Sequence, residues 1–536
     1  MENSFRKVRN ALISVSNTEK IDSFARILQE NSIEIIATRG TYKALQDARI
    51  KSKRLEEIVK YPEMIDGRVK TLQPEIFSGI LARRIESHLS QLKEEAIDPI
   101  DMVVCNFYPF EKMVSRKDIT HSELIENIDI GGPSLVRAAS KNSDYVTVVP
   151  SPKFYDQVSM ELMNNNGSTS LELRRSLAHA AFGIVSSYDI AIYAGLQRFT
   201  GLNQNFPERI FISAERFEDT RYGENPDQKA SIYKVEGYRG MANWTQISGE
   251  KKSFNNYLDI GGAYEILEGF EAYPAAATVK HGHISGFAFG PNLAEAYKLA
   301  HSCDSEADFG GSVVLNREVD VDAARLIGKN SAVSDESIYT EIVIAPSYTS
   351  EALEILKSKQ KKKMRLMIAQ DSTDYPYNVK LLEGVLLVQD SVDYTNHLDR
   401  NSLSYPTKVK VDDTTLNKLL AAWEIVRKIE SNGIVVADGK TSDGELTHFW
   451  TYGVASFRKR NGATKIALDN AGDRAKGAVV ASDGFFPVKD SIDMLARAGV
   501  KAVIQPGGSI RDDTVIEAAN QFGIGMVFTH TRAFKH

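Results

Sequence analysis

Short apolar runs alternate with amphipathic ones through the first 200 residues. Ala11–Val15 and Ile33–Ala37 are apolar and β-prone, and Met102–Asn106 reads as a further buried strand. Ile21–Glu30 has helical spacing, and Thr41–Ala48 reads as a second helix. Buried strands separated by helices predict a parallel α/β sheet. Ligands of such sheets bind beyond the carboxyl ends of the strands. The polar loops at those ends are Ser14-Val15-Ser16-Asn17, Thr38-Arg39-Gly40-Thr41 and Asn106-Phe107-Tyr108-Pro109.

Near residue 200 the pattern breaks. Gly201–Pro207 is polar and reads as a linker. Strand-loop-helix units continue beyond it. Ala276–Lys280 runs into Lys280-His281, and Ile342–Pro346 ends in Ala-Pro. Late in the chain, VVASDGFFPVKD (479–490) takes an apolar strand into a loop with an acid, two aromatics and a proline. VIQPGGSIRD (503–512) takes a second strand into Pro-Gly-Gly-Ser, which predicts backbone N–H groups free for an anion at a helix start. The final Arg532-Ala533-Phe534-Lys535-His536 is expected to be built into a site. No short-period repeat is visible.

With 536 residues, 42% of them hydrophobic, the chain has material for several cores. A net charge of −6 gives no general pull toward nucleic acid or anionic membrane. The run KSKQKKKMR (357–365) reads as a solvated helix end. Cys105 and Cys303 are the only cysteines, so no disulfide framework is implied and a cytoplasmic setting fits. No signal peptide and no membrane-spanning apolar run is expected.

Two segments of the first part carry chemistry. EMIDGRVKTLQPE (63–75) places Arg68, Lys70 and Thr71 after a glycine. NIDIGGPSLVRAASKN (127–142) holds Asp129, a Gly-Gly-Pro turn, Arg137 and Lys141. Arginine and lysine hold phosphates, and a buried lysine or tyrosine moves protons. Each segment alone is equally a turn followed by a helix with surface charges.

These segments, with VVCNFYPF, resemble the family that combines aminoimidazole carboxamide ribonucleotide transformylase with inosine monophosphate cyclohydrolase. The resemblance continues in order through RYGENPDQ (221–228), SFNNYLD (253–259), Lys280-His281, IVIAPSY, ESNGIVV, ASDGFFP, IQPGGSIRD and RAFKH. It implies an α/β protein: a methylglyoxal-synthase-like domain over 1–200, then two cytidine-deaminase-like subdomains over 206–536. It implies the last two steps of purine synthesis: formyl transfer from 10-formyltetrahydrofolate to the nucleotide's amine, then ring closure. In the first domain the resemblance gives Lys70, Thr71, Tyr108, Asp129 and Lys141 to the ring closure. It gives Ser14, Ser16, Thr38, Gly40, Thr41 and Arg68 to the phosphate and nearby groups. In the second it makes His281 the base, supported by His536, and Lys280 its electrostatic partner. Asn432 would help bind the formyl oxygen. Arg221, Tyr222, Asn256, Glu341, Phe485, Arg532 and Phe534 would hold the nucleotide, with Asp490 and the Pro487 loop facing folate. The family is homodimeric, so a homodimer is expected, with folate as cosubstrate and neither metal, nucleic acid nor membrane involved.

The chain departs from the family's pattern at several points. Arg39 stands where a second glycine is usual, Asn17-Thr18 replaces Asp-Lys, and Gln73 replaces a histidine. After Lys280-His281 the sequence is Gly282-His283-Ile284-Ser285-Gly286, and losing the usual proline is expected to loosen the turn. Cys303–Gly311 departs from the usual Cys-Asp-Pro segment. The nearest match to the family's Gly-x-Gly-Gln-x-Ser-Arg is Tyr452–Arg458, which lacks the glutamine and displaces the arginine. The competing expectations are a member with one active half, cyclohydrolase the likelier survivor, and a non-catalytic nucleotide-binding protein. A zinc deaminase needs a Cys-x-x-Cys pair, which the sequence lacks.

Overall fold

The structure is a computed structural model that describes residues 5–65, 67–108, 110–114, 116, 118–200, 206–304, 310–330, 340–359, 363–370 and 377–536. Most of the expected linker, the middle of the Cys303–Gly311 segment, part of the basic run and Pro109 lie outside these residues. The chain forms two compact units, Met1–Ser213 and Ala214–His536.

The first unit is built on five parallel strands in the order Lys53–Arg54, Glu34–Ala37, Asn10–Val15, Met102–Asn106, Thr147–Val149. Leu12, Ile13, Ile36, Val103 and Val148 are buried, as expected of strands covered on both faces. From the central strand Asn10–Val15 the chain first builds one side of the sheet and then crosses to the other. The switch therefore lies between Asn10–Val15 and Met102–Asn106, where a ligand crevice belongs. The long helix Leu171–Gln197 is, by length and composition alone, apolar enough to cross a membrane, contrary to expectation. Packing accounts for one face of it. Leu173, Leu177, Ala181 and Val185 recur at helical spacing within the buried core, and Arg174 is buried against the carbonyls of Ser143 and Asp144.

The second unit centres on an eleven-stranded sheet built from two halves of the same topology, as the two similar subdomains expected there imply. The helix Phe254–Glu265 precedes the hairpin Ala275–Lys280/His283–Phe289, which is followed by the strands Ser312–Leu315, Ile342–Ala345 and Arg365–Ile368. The helix Asp413–Val426 precedes the hairpin Gly433–Ser442/Glu445–Ser456, followed by Val479–Ser482, Ala502–Gln505 and Gly525–Phe528. Beyond its hairpin, each half adds one antiparallel and then two parallel pairings in the same order. The halves join through antiparallel pairs Ala288↔Trp450 and Phe289↔Phe449. This register sends the tip of the first hairpin and the base of the second to the same end of the sheet.

Gly453 sits where the strand Glu445–Ser456 meets the helix Arg460–Ala471. A Cβ there would fall 2.0 Å from the Ala467 carbonyl oxygen. This close approach accounts for the glycine without invoking a ligand.

Candidate functional sites

At the switch of the first sheet, the loops after the central strands are tied together. Ser16 N–H and hydroxyl both donate to Asn106 Oδ1, at 2.8 and 3.0 Å, and Asn17 N–H adds a third bond at 2.9 Å. Thr38 donates to Ser14 Oγ at 3.2 Å, and Thr41 Oγ1 accepts from Val15 N–H at 3.0 Å. The helix here begins at Arg39, two residues earlier than expected, with Arg39 and Gly40 exposed.

The Gly131-Gly132-Pro133 segment is not a turn. It is the first turn of the helix Gly131–Lys141. Asp129 Oδ1 accepts from Gly132 N–H at 2.9 Å, satisfying a donor the helix start leaves free. A Cβ on Gly131 would lie 2.5 Å from Thr71 Oγ1, and one on Gly132 would lie 2.6 Å from Asp129 Oδ2. The two glycines thus let Thr71 and Asp129 close on the helix start. Burial pushes the Asp129 carboxyl above its ordinary range, against the pull of Gly132 N–H and the Lys70 charge. Tyr188 accepts from Asp129 N–H at 2.7 Å, and burial pushes its phenol up to about 12.

The structure therefore gathers Lys70, Thr71 and Asp129. It does not bring Lys141 to them, because that residue is exposed in the last turn of an 11-residue helix, about 15 Å along its axis from Gly131. Tyr108 is exposed beyond the strand Met102–Asn106, and Arg68 is exposed and paired with Glu126.

The second unit presents two polar groupings at one end of its sheet. The first surrounds Lys280-His281. Lys280 pairs with His283, so His281 and Gly282 form a two-residue hairpin turn, with φ of 51° and 74°. Those values fit a type I′ turn, so the missing proline is replaced by a tight turn rather than a loose one. Glu341 accepts from Asn256 Nδ2 at 3.1 Å and from Arg365 Nη1 at 2.9 Å. Arg365 is buried, not part of a solvated basic run as expected. Asp259 lies on the same helix as Asn256. Its carboxyl is held above its ordinary range by burial, against the pull of His281 and Gly282 N–H. The loop carrying Arg221 and Tyr222 joins the strands Ala214–Asp219 and Ser231–Val235. It docks on the same helix through Tyr257–Glu218 at 2.6 Å and Asn255–Glu224 at 3.3 Å.

The second grouping centres on Arg460. Its guanidinium donates to Ser482 Oγ at 2.8 Å, to Asn432 Oδ1 at 2.7 Å and to the buried Asp483. Asn432 Nδ2 donates to the carbonyls of Phe457 and Arg458 at 3.1 and 3.3 Å. These two bonds tie Asn432 to the end of the strand Glu445–Ser456 and the loop after it. Arg460, not Arg458, is the arginine that enters the structure here.

Two guanidinium groups approach the Phe534 ring, Arg532 at 4.7 Å and Arg460 at 5.8 Å from its centre. His536 packs edge-on to Phe534 at 5.9 Å. The last residues are fixed by Ala533 N–H to Asp483 O at 2.9 Å and Lys535 to Glu265 at 2.8 Å. A cavity of about 380 Å³ opens between Arg458, Lys459, Phe485, Pro487, Val488 and Phe534. Asp490 is exposed at the start of the helix Asp490–Arg497.

The expected anion site at Pro506-Gly507-Gly508-Ser509 is already answered from within. The helix starts only at Asp512, whose own carboxylate accepts from Gly508 N–H at 2.6 Å. Among the described residues, no group of three or more His, Cys, Asp and Glu side chains gathers as metal ligands would.

Asp259, Arg365, Arg460 and Asp483 were not singled out from sequence. Asp259 and Asp483 stand inside the quoted motifs SFNNYLD and ASDGFFP, so a signal was present for these two.

The family model of the AICARFT/IMPCHase bienzyme matches residues 139–467, and that of the MGS-like domain matches residues 20–134. The bifunctional purine biosynthesis protein PurH of Thermoanaerobacter sp. (strain X514) is 43% identical, over 98% of this chain and 100% of its own length. Proteins of that name from Halalkalibacterium halodurans and Anoxybacillus flavithermus are 40% and 42% identical over the same shares. A solved chain titled "Crystal structure of ForH" is 32% identical, covering 35% of this chain and 99% of its own with a TM-score of 0.33, too low to bear on the fold. The chain belongs to the family of bifunctional purine-biosynthesis enzymes that join aminoimidazole carboxamide ribonucleotide formyl transfer to inosine monophosphate cyclohydrolase activity.

Proposed function

We propose that both activities are carried out in this chain, ring closure within residues 1–200 and formyl transfer within 206–536. The observation that carries this reading is the presence of two separate polar groupings, Lys70-Thr71-Asp129 and Lys280-His281 with its neighbours, in different compact units.

For ring closure, the carboxamide nitrogen attacks the formyl carbon and water leaves. Lys70 and Thr71 donate to the oxygen that gains charge, and Asp129 at the helix start orients the amide. Ser14, Ser16, Thr38, Gly40, Thr41 and Arg68 border the phosphate. For formyl transfer, the nucleotide's aromatic amine attacks the formyl carbon of 10-formyltetrahydrofolate. His281 takes the amine proton, Lys280 stabilises the tetrahedral oxyanion, and collapse expels the folate nitrogen, which is reprotonated. Phe485 and Phe534 offer ring faces to the heteroaromatic substrates, and Arg458 and Lys459 add positive charge at the cavity. Arg532, Arg221 and Tyr222 serve the nucleotide; Pro487 and Asp490 face folate.

A homodimer is part of this reading. The two-stranded ribbon Tyr377–Leu382/Val385–Asp390 exposes Leu381 at 76% and Val385 at 56%, and an isolated ribbon with such residues is marginal in water. Activity in the cytoplasm fits the small-molecule substrates. The non-catalytic reading is not favoured, since the full-length relatives are named for both activities.

Complementary variants test the proposal. His281→Gln is expected to lower formyl transfer by about 100-fold or more and leave ring closure intact. Asp129→Asn is expected to do the reverse. Retention of formyl transfer by His281→Gln would overturn the assignment of the base.

A further inference from the structure

We infer that Arg365 is a positioning residue for formyl transfer: it holds the Glu341 carboxylate to the start of the helix Phe254–Glu265 and leaves one oxygen of that carboxylate open to the nucleotide. The inference rests on the reading of the Lys280-His281 grouping as the formyl-transfer site.

The register of the sheet brings Glu341 to that grouping. Val279 pairs with Ser312, Ser312 with Ile342, and Ile342 with Arg365, so these four residues form one row across four strands. One step beyond the row, at the same end of the sheet, lie Lys280, Gly311 and Glu341. Neighbouring strands are about 4.8 Å apart, which sets Lys280 and Glu341 about 10 Å from each other, a span that one nucleotide covers. The residue between them is Gly311, which has no side chain, and its carbonyl accepts from Glu341 N–H at 2.9 Å.

The bonds to Glu341 are unevenly shared. Its Oε1 accepts both from Arg365 Nη1 at 2.9 Å and from Asn256 Nδ2 at 3.1 Å. Its other oxygen accepts no hydrogen bond among the described residues, and the side chain keeps 31% of its exposure. An arginine that served only to neutralise a carboxylate would gain most from the bidentate fork, which uses both oxygens. Here two donors crowd onto one oxygen and the second is left over. A bare carboxylate would also repel a phosphorylated ligand; the guanidinium offsets that charge while the open oxygen still accepts a hydroxyl or an amine.

Arg365 is itself 7% exposed, and its Nε is buried without a partner, so its desolvation is answered through the two Nη atoms. Nη2 donates to the Lys251 carbonyl at 3.1 Å. Gly249 permits this approach: its φ is 93°, and a Cβ there would fall 2.6 Å from Arg365 Cα. Two residues after Lys251, Ser253 caps the helix. Its Oγ accepts from Asn256 N–H at 3.2 Å, and its N–H donates to Asn256 Oδ1 at 3.0 Å. The buried Asn256 amide therefore bridges the helix cap and Glu341. One guanidinium thus fixes Glu341 directly and also fixes the backbone that leads into the cap of its second donor.

A double-mutant cycle in the full chain tests this. Arg365→Gln and Glu341→Gln are each expected to raise KM for aminoimidazole carboxamide ribonucleotide about 10-fold, with kcat of formyl transfer changed less than about 3-fold. The double variant is expected to match the more impaired single variant, because Arg365 acts through Glu341. Arg365→Lys keeps the charge without the fork and should raise KM only about 3-fold; it replaces Arg365→Gln in the cycle if that variant does not fold. Ring closure by the other unit should be unchanged throughout. Calorimetric binding of the same nucleotide repeats the cycle without turnover. An unmoved KM in the Arg365 variants, or penalties that multiply in the double variant, would overturn the inference and leave Arg365 a structural ion pair. A parent chain that neither binds the nucleotide in the second unit nor formylates it would overturn the functional reading, and the inference with it.

Discussion

Arg460→Met is expected to abolish formyl transfer and to destabilise the second unit by about 3–5 kcal/mol, the cost of leaving one member of a buried ion pair alone. Asp483 is fully buried, and its remaining side-chain partner is the Ser431 hydroxyl. The loss of activity has a separate cause. Arg460 holds Asn432 at 2.7 Å and lies under the Phe534 ring, so removing it frees the loop and the aromatic that border the cavity. The double variant Arg460→Met/Asp483→Leu separates the effects. Replacing both charges with apolar groups should recover most of the stability, read as the thermal unfolding midpoint, and none of the formyl transfer. Full activity in the double variant would show that the guanidinium serves the fold alone.

Gly131→Ala should produce the opposite combination in the first unit. Alanine's helix preference over glycine, at most about 1 kcal/mol, offsets part of the cost of the close contact, so the fold should be retained. The new methyl would stand 2.5 Å from Thr71 Oγ1, and the threonine must move. A displacement of about 1 Å in a positioned group costs roughly 100-fold in rate, so ring closure should fall by about that factor while formyl transfer is unchanged. Steady-state assays of the two reactions, together with thermal unfolding, check both halves of this expectation.

Much of the fold was legible because period alone fixes it. Ile21–Glu30 and Met102–Asn106 fall where spacing and apolar runs place them, and their loops do meet at the switch of the sheet. What failed were inferences that need a third dimension. Gly-Gly-Pro reads locally as a turn, yet proline fits the first turn of a helix, where its missing N–H costs nothing. Pro-Gly-Gly-Ser reads as an anion site, yet Asp512 four residues later fills it. Arg365 closes a basic run in sequence but turns inward because Glu341 begins the neighbouring strand. Arg460 lies two residues beyond the arginine that motif matching selected, and only its bonds to Asn432 and Asp483 distinguish it. The repeat in the second unit left no short period, because it repeats topology rather than sequence. Lys141 shares a motif with Asp129, but helical rise carries it to the far end of the element.

The central claim is that both halves of this chain are active. The direct measurement incubates the purified protein with aminoimidazole carboxamide ribonucleotide and 10-formyltetrahydrofolate, following tetrahydrofolate and inosine monophosphate together. A parallel reaction supplies the formylated nucleotide. The account predicts inosine monophosphate by both routes, with tetrahydrofolate released in the first. Conversion of the formylated nucleotide alone would contradict it and leave the Arg460 and His281 groupings without the reaction assigned to them.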